Sequence, residues 1–180
     1  MIVFNSDLDN TLIYSYKHDI GEDKKCVEIY NDREISFMSN RTFEILSKIS
    51  KKISFVPTTT RTEEQYNRIC FQGINIEYAL VCNGGILLKN GKRVDEWYDE
   101  SLKIIKPAKE EMCKAKKIIE DDSYRDFEVH YIEDLFIFTK SNEPLKTIEY
   151  VKDNVNTDII DVFNNGVKIY AIPKNLDKGT

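Results

Sequence analysis

Short apolar runs alternate with helix-spaced segments over the first half of the chain. The first run, "IVFNSD" from Ile2 to Asp7, lacks helical spacing and reads as a buried strand with acidic residues at its carboxyl end. Next, "CVEIYNDREISFM" alternates apolar and polar positions on both sides of Asn31-Asp32, the pattern of a β-hairpin with a tight turn, taken here as a flap near the first strand. A helix is predicted from about Asn40 to Lys51, with Phe43, Leu46 and Ile49 on one face, followed by a second buried strand, Ile53 to Pro57. Thr62 and Gln65 form a T-x-x-Q capping box, so a second helix should start just after Arg61 and run to about Phe71 before Gly73 stops it. A third strand, "YALVC" from Tyr78 to Cys82, ends at Asn83-Gly84-Gly85. Strands alternating with helices in this order predict an α/β fold with a doubly wound parallel sheet, whose ligand sites lie at the carboxyl ends of the strands.

After Gly85 the pattern changes. "ILLKNGKRVDEW" is a hairpin around Asn90-Gly91, and a helix is predicted from about Pro107 to Glu120 with Ala108, Met112, Ala115 and Ile119 on one face. Two strands, "FEVHYI" and "LFIFTK", follow around Glu133-Asp134, then a helix from about Glu143 to Asn154, then "DIIDVF" and "VKIYAI" around Asn164-Asn165-Gly166. The order helix, two strands, helix, two strands predicts an α+β lobe with an open antiparallel sheet covered by helices on one face. The expected division is a core of residues 1–85 and 173–180, with residues 86–172 as an inserted lobe.

Composition narrows the classes. With 180 residues and 41% apolar positions the chain can bury a substantial core. Its 26 Lys and Arg are interleaved with 31 acids for a net charge of -5, so there is no basic stripe and no nucleic-acid partner is expected. Cys26, Cys70, Cys82 and Cys113 are far apart and form no C-x-x-C pair, which fits reduced structural thiols and a cytoplasmic location. No apolar run approaches the roughly 18 residues of a membrane span, so no membrane partner is expected.

The chemistry gathers where the three strands end: Asp7 and Asp9, then Thr58 to Arg61, then Asn83 to Gly85. Two carboxylates one residue apart repel each other unless a divalent cation lies between them, and Mg²⁺ prefers carboxylate oxygen, carbonyl oxygen and water. Such a pair also suits phosphoryl transfer, one aspartate attacking phosphorus and the other moving the proton of the leaving oxygen. Thr59 and a lysine from "NLDKGT" could supply the donors that stabilise the transferring oxygens.

The segments "DLDNT" (Asp7 to Thr11), "TTR" (Thr59 to Arg61), "CNGG" (Cys82 to Gly85) and "DKGT" (Asp177 to Thr180) together resemble the haloacid dehalogenase superfamily. The resemblance is closest to its Cof-type and sucrose-phosphatase-like members, whose cap is inserted after the third core strand. It implies a Rossmann-like core with an inserted α+β cap, and a Mg²⁺-dependent phosphatase acting on a small phosphorylated metabolite such as a sugar phosphate, through an aspartyl-phosphate. Carried over by position, it implies Asp7 as nucleophile, Asp9 as general acid/base, Thr59 on the phosphoryl group and Lys178 neutralising charge. It further implies Asn83 and Gly84 near the substrate, with Asp7 and Asp9 at the metal; Thr60 and Arg61 are candidate substrate contacts, Thr60 reading equally as a β-branched strand residue.

Two departures from the pattern stand out. Thr60 replaces the glycine of the usual T-G-R, where less backbone freedom is expected. The acidic fourth motif should follow Lys178, and the sequence ends at Thr180, so the family pattern is truncated there and the Asp7 strand should be a sheet edge, coverable by a second copy in a homo-oligomer. A phosphomutase with the same cap, a binding or assembly module with an incomplete site, and a nucleotide-sugar glycosyltransferase using D-x-D for metal stay open. Arg61 reads equally as a substrate contact or an ion pair near the helix start, and His130 as a packed or surface residue. Tyr14, Tyr16, Tyr30 and Trp97 read equally as packing or substrate contacts.

Overall fold

The computed structural model describes residues 2–176 and 178 and divides into two compact units, Met1–Asp95 and Glu96–Thr180. The first unit runs β1 (Val3–Asp7), β2 (Tyr14–Ser15), β3 (Lys24–Tyr30), β4 (Arg33–Ser39), α1 (Asn40–Ile49), β5 (Ser54–Thr58), α2 (Glu63–Asn67), β6 (Tyr78–Val81), β7 (Ile86–Lys89) and β8 (Lys92–Arg93). Its main sheet has the order β1-β5-β6-β7-β8, with β1, β5 and β6 parallel, β7 antiparallel to β6 and β8 antiparallel to β7. The hairpin that the sequence placed in the lobe therefore extends the first sheet, and the units part at 95/96 rather than 85/86. Its apolar alternation shows that one face is buried, and the pairing of β7 straight back onto β6, Val81 opposite Ile86, sets that face against the core of the first unit.

A smaller sheet, β2-β4-β3, is the predicted flap. Asn31 and Asp32 at its turn have φ of 50° and 59°, the left-handed pair of a tight hairpin whose twist matches the strands. Helix α1 starts at Ser39, whose hydroxyl accepts from the Thr42 N–H at 3.1 Å and closes one of the helix's open donors. Helix α2 has the predicted Thr62/Gln65 capping box but ends at Asn67, four residues early. The chain leaves the helix because Ile69 bridges to Glu28 and the Cys70 N–H donates to the Val27 carbonyl at 2.7 Å, so pairing with β3 replaces further helical turns.

Strand β1 corrects the expectation of a buried strand. Among the described residues it pairs only with β5, and Ile2, Val3 and Phe4 are 69, 54 and 37% exposed. An apolar run is buried only where elements cover it, and β1 is the outermost strand here.

The second unit runs α3 (Asp95–Ile105, starting at the boundary), α4 (Lys109–Glu120), β9 (His130–Ile132), β10 (Phe136–Lys140), α5 (Pro144–Asn154), β11 (Ile160–Asn165) and β12 (Lys168–Pro173). Its antiparallel sheet has the order β11-β12-β10-β9. Met112, Ala115 and Ile119 of α4 and Ile148 and Val151 of α5 pack with Ile137, Ile160, Val162, Ile169 and Ala171 into one aliphatic core. The predicted order of helix and strand pairs holds, with α3 added in front. Pro107 falls in a short 3-10 turn, Lys106–Ala108, just ahead of α4.

Candidate active site

The carboxyl ends of β1, β5 and β6 lie side by side, Asp7 opposite Thr58 and Thr58 opposite Leu80. Their loops are sewn together by main-chain bonds: the Asn83 N–H donates to the Thr59 carbonyl at 2.9 Å and the Cys82 N–H to the Arg61 carbonyl at 2.8 Å. Beyond β1 the chain folds over the Leu8 carbonyl, which accepts from the N–H groups of Thr11, Leu12 and Ile13 at 3.2, 2.9 and 2.9 Å. Leu8 is fully buried, and alternation about it sets Asp7 and Asp9 off from that core. Asn10 takes φ of 60° in this turn, a region that asparagine tolerates. At the end of β6, Cys82 and Asn83 are both left-handed, with φ of 51° and 60°; such strain for cysteine is uncommon and concentrates at functional sites.

Arg61 closes its fork on Asp9. Its Nε lies 2.9 Å from Oδ2 and its Nη2 2.9 Å from Oδ1, the two-point geometry that fixes a carboxylate's plane as well as its position. The Thr59 hydroxyl also donates to Asp9 Oδ2, at 3.3 Å, and accepts the Arg61 N–H at 3.1 Å. Asp7 accepts from the Thr11 hydroxyl at 3.3 Å.

Behind Arg61 lies Glu28, with 1% of its side chain exposed. It accepts from Arg61 Nη1 at 2.8 Å, from the Ser36 hydroxyl at 2.6 Å and from Arg68 Nε at 3.3 Å. A buried carboxylate is tolerable only when paired and fully hydrogen-bonded, and these three donors meet that condition. Burial works against the Arg61 charge, but Asp9 and then Glu28 outweigh it and raise its pKa. The chain of contacts Asp9–Arg61–Glu28 thus ties the strand-end carboxylate to the flap hairpin.

Of the residues singled out from sequence, the structure brings Asp7, Asp9, Thr59, Thr60, Arg61, Asn83 and Gly84 to one rim. Thr60 is not among the left-handed residues, so a side chain there meets no φ strain. Lys178 is a half-buried turn residue of the second unit; Asp177, Gly179 and Thr180 of its motif lie outside the described residues. Sequence reading missed Glu28, Ser36 and Arg68. The one trace is local: Val27 and Glu28 are both buried at a register shift in β3, so strict alternation fails where the glutamate sits.

Among the described residues no group of three His, Cys, Asp or Glu could hold a metal. The donors at the rim are oxygen only, Asp7 and Asp9, and one or two carboxylates completed by water and substrate phosphate are the usual protein share of a Mg²⁺ site. The donor set therefore fits Mg²⁺ in kind.

No family model and no curated protein sequence matches the chain. Solved structures do match in fold. The sucrose-phosphatase of Synechocystis sp. PCC6803, determined with sucrose and phosphate, is 15% identical with a TM-score of 0.54, covering 76% of this chain and 57% of that one. The C-terminal domain of Candida albicans trehalose-6-phosphate phosphatase is 15% identical with a TM-score of 0.55, covering 98% and 58%. An N-terminally truncated Plasmodium falciparum IMP-nucleotidase is 14% identical with a TM-score of 0.52, covering 95% and 53%. The chain spans between half and three fifths of the length of these three proteins. At such identities the likeness is one of fold. That fold is a Rossmann-like α/β architecture with a parallel core sheet.

Proposed function

We propose that the chain provides the site of a Mg²⁺-dependent phosphatase for a small phosphorylated metabolite, in a haloacid-dehalogenase-like core whose second unit serves as the cap. The observation that carries this reading is the unequal treatment of two adjacent carboxylates: Arg61 fixes Asp9 in plane, while Asp7 stands at the end of β1 against Thr11. Two carboxylates with different surroundings suit two roles.

In this reading an Asp7 oxygen attacks phosphorus, and the bond from phosphorus to the leaving oxygen breaks as Asp9 gives that oxygen its proton. Water then attacks the aspartyl-phosphate, Asp9 takes the water's proton, and phosphate leaves with Asp7 restored. Thr59 and Arg61 hold Asp9 in place, and Asn83 and Gly84 border the substrate. Lys178 is assigned to charge neutralisation by the motif pattern. Mg²⁺, held by Asp7 and Asp9, would reduce their repulsion and neutralise phosphate charge. Transfer of the same phosphoryl group back to a sugar would make the enzyme a mutase.

The test is Mg²⁺-dependent hydrolysis of p-nitrophenyl phosphate, sugar phosphates and nucleotides by the wild-type chain and by Asp7→Asn. Turnover by the wild type and a loss on the order of 10⁴-fold in the variant are expected. Equal rates in both, or hydrolysis indifferent to chelation, would overturn the reading. One observation favours a second reading, a binding or assembly module: the exposed apolar edge of β1, which a second copy of the chain could cover. That reading predicts a concentration-dependent dimer lost on Val3→Lys.

A further inference from the structure

The sheet of the second unit carries a ring on every strand of the face turned away from α4 and α5. Ile137, Ile169, Ala171 and Val162 point into the helix-covered core, so their neighbours along each strand point the other way. The registers set Phe163 opposite Tyr170, Tyr170 opposite Phe138, and Phe138 opposite His130, making one row across β11, β12, β10 and β9. Ring centroids along it are 5.4, 5.5 and 6.5 Å apart. Phe127 closes the row, 5.3 Å from His130. Phe163 and Phe127 are 41 and 39% exposed, and the His130 side chain 41%.

One step along the same face, Lys140 stands directly opposite Lys168. Like charges in that arrangement repel, and among the described residues neither lysine takes part in a salt bridge. Lys140 Nζ lies 4.5 Å from the Phe127 ring centre. Lysine pair and ring row are about 7 Å apart, two residues along a strand. On the other flank of the row the same face carries Asp161, paired with Lys174 at 3.7 Å.

The planes of Phe163 and Tyr170 are inclined by only 18°, with Phe138 tilted 46° to Tyr170, and this row with a cationic strip on one side and a carboxylate on the other selects a ligand with an aromatic ring and a single anionic group, held apart by a short spacer. We propose that this face binds a nucleoside monophosphate, its base stacked on the row of Phe138, Tyr170 and Phe163 and its phosphate at Lys140 and Lys168. A polynucleotide fits less well, because its further phosphates would run toward Asp161 on a chain of net charge -5. A pyranose can lay only its C–H face on these rings, whereas a base stacks ring on ring, so the base is the better match. The proposal concerns residues of the second unit alone and stands apart from the phosphatase reading.

Calorimetric titration of the full 180-residue chain carrying Asp7→Asn, which removes turnover, tests it with AMP, adenosine, inorganic phosphate, glucose 6-phosphate and an oligoadenylate. AMP should bind at least tenfold tighter than glucose 6-phosphate and inorganic phosphate. Phe138→Leu, which keeps apolar volume and removes the ring, should weaken AMP about tenfold, the cost of a lost base–aromatic stack. Phe163→Leu, at the exposed end of the row, should weaken it in the same direction and serves if Phe138→Leu does not fold. Lys140→Gln should weaken AMP and leave adenosine unchanged. Absence of AMP binding, equal affinity for glucose 6-phosphate, tighter binding of the oligoadenylate, or unchanged AMP affinity in both Phe163→Leu and Lys140→Gln would overturn the proposal. Phosphatase activity in the wild type is read separately, so either result can stand without the other.

Discussion

The two units place their polar and apolar groups in opposite ways. The first buries charge: Glu28 lies 2% exposed among two arginines and a serine, and Thr59 is fully buried beside it in the same network. The second fills its main core chiefly with aliphatic side chains and sets Phe138, Phe163 and Tyr170, with Lys140 and Lys168, on the sheet face turned away from it. A buried ionic network costs desolvation and gains geometry, since few arrangements satisfy every donor and acceptor. An aliphatic core gains stability with little directional demand. The lesson is that the first unit is built to hold one carboxylate in one orientation, and the second to present a surface.

That contrast can be broken experimentally, most severely at Glu28. Glu28→Ala leaves Arg61 and Arg68 without their buried partner, and a loss of about 3–5 kcal/mol in chemical denaturation is expected, together with loss of phosphatase activity. Removing the charge while keeping the hydrogen bond from Ser36, as in Glu28→Gln, should cost less, which separates charge from packing. Ile137→Ala is the matching cut in the aliphatic core of the second unit, where Ile137 is fully buried. It should cost about 3 kcal/mol by the cavity it leaves, with kcat toward p-nitrophenyl phosphate close to wild type below the unfolding transition. If both substitutions reduced kcat alike, the division of labour between the units would be wrong.

A smaller effect should follow Arg61→Lys, because a single ammonium cannot reproduce the two-point contact with Asp9. A fall in kcat of about 100-fold with little change in KM is expected, the signature of a misaligned proton donor rather than lost substrate binding. Thr62→Ala removes the capping hydroxyl that accepts from the Gln65 N–H at 3.2 Å. The expected cost is about 1 kcal/mol, seen as a modest drop in Tm and no change in KM.

Much of the fold was legible from local pattern. The hairpins at Asn31-Asp32, Asn90-Gly91 and Glu133-Asp134 all have positive φ at both turn residues, as the alternation around them requires. The Thr62/Gln65 box starts α2 where it should, and the three strand ends bearing Asp7, Thr59 and Asn83 meet at one rim. Less legible were α3, hidden behind a segment read as a hairpin arm, and the early end of α2, which depends on a bridge to Glu28 far away in sequence.

The periods, the turns and the pair of strand-end aspartates can be read off local sequence, because steric limits on φ and ψ and capping bonds act within four residues. Contacts across the fold place β1 at an edge with Val3 and Phe4 exposed. They also decide that Arg61 faces Asp9 with Glu28 behind it, and that four rings from four strands share one row. Each of these depends on pairing and desolvation between residues distant in the chain, which no local pattern records.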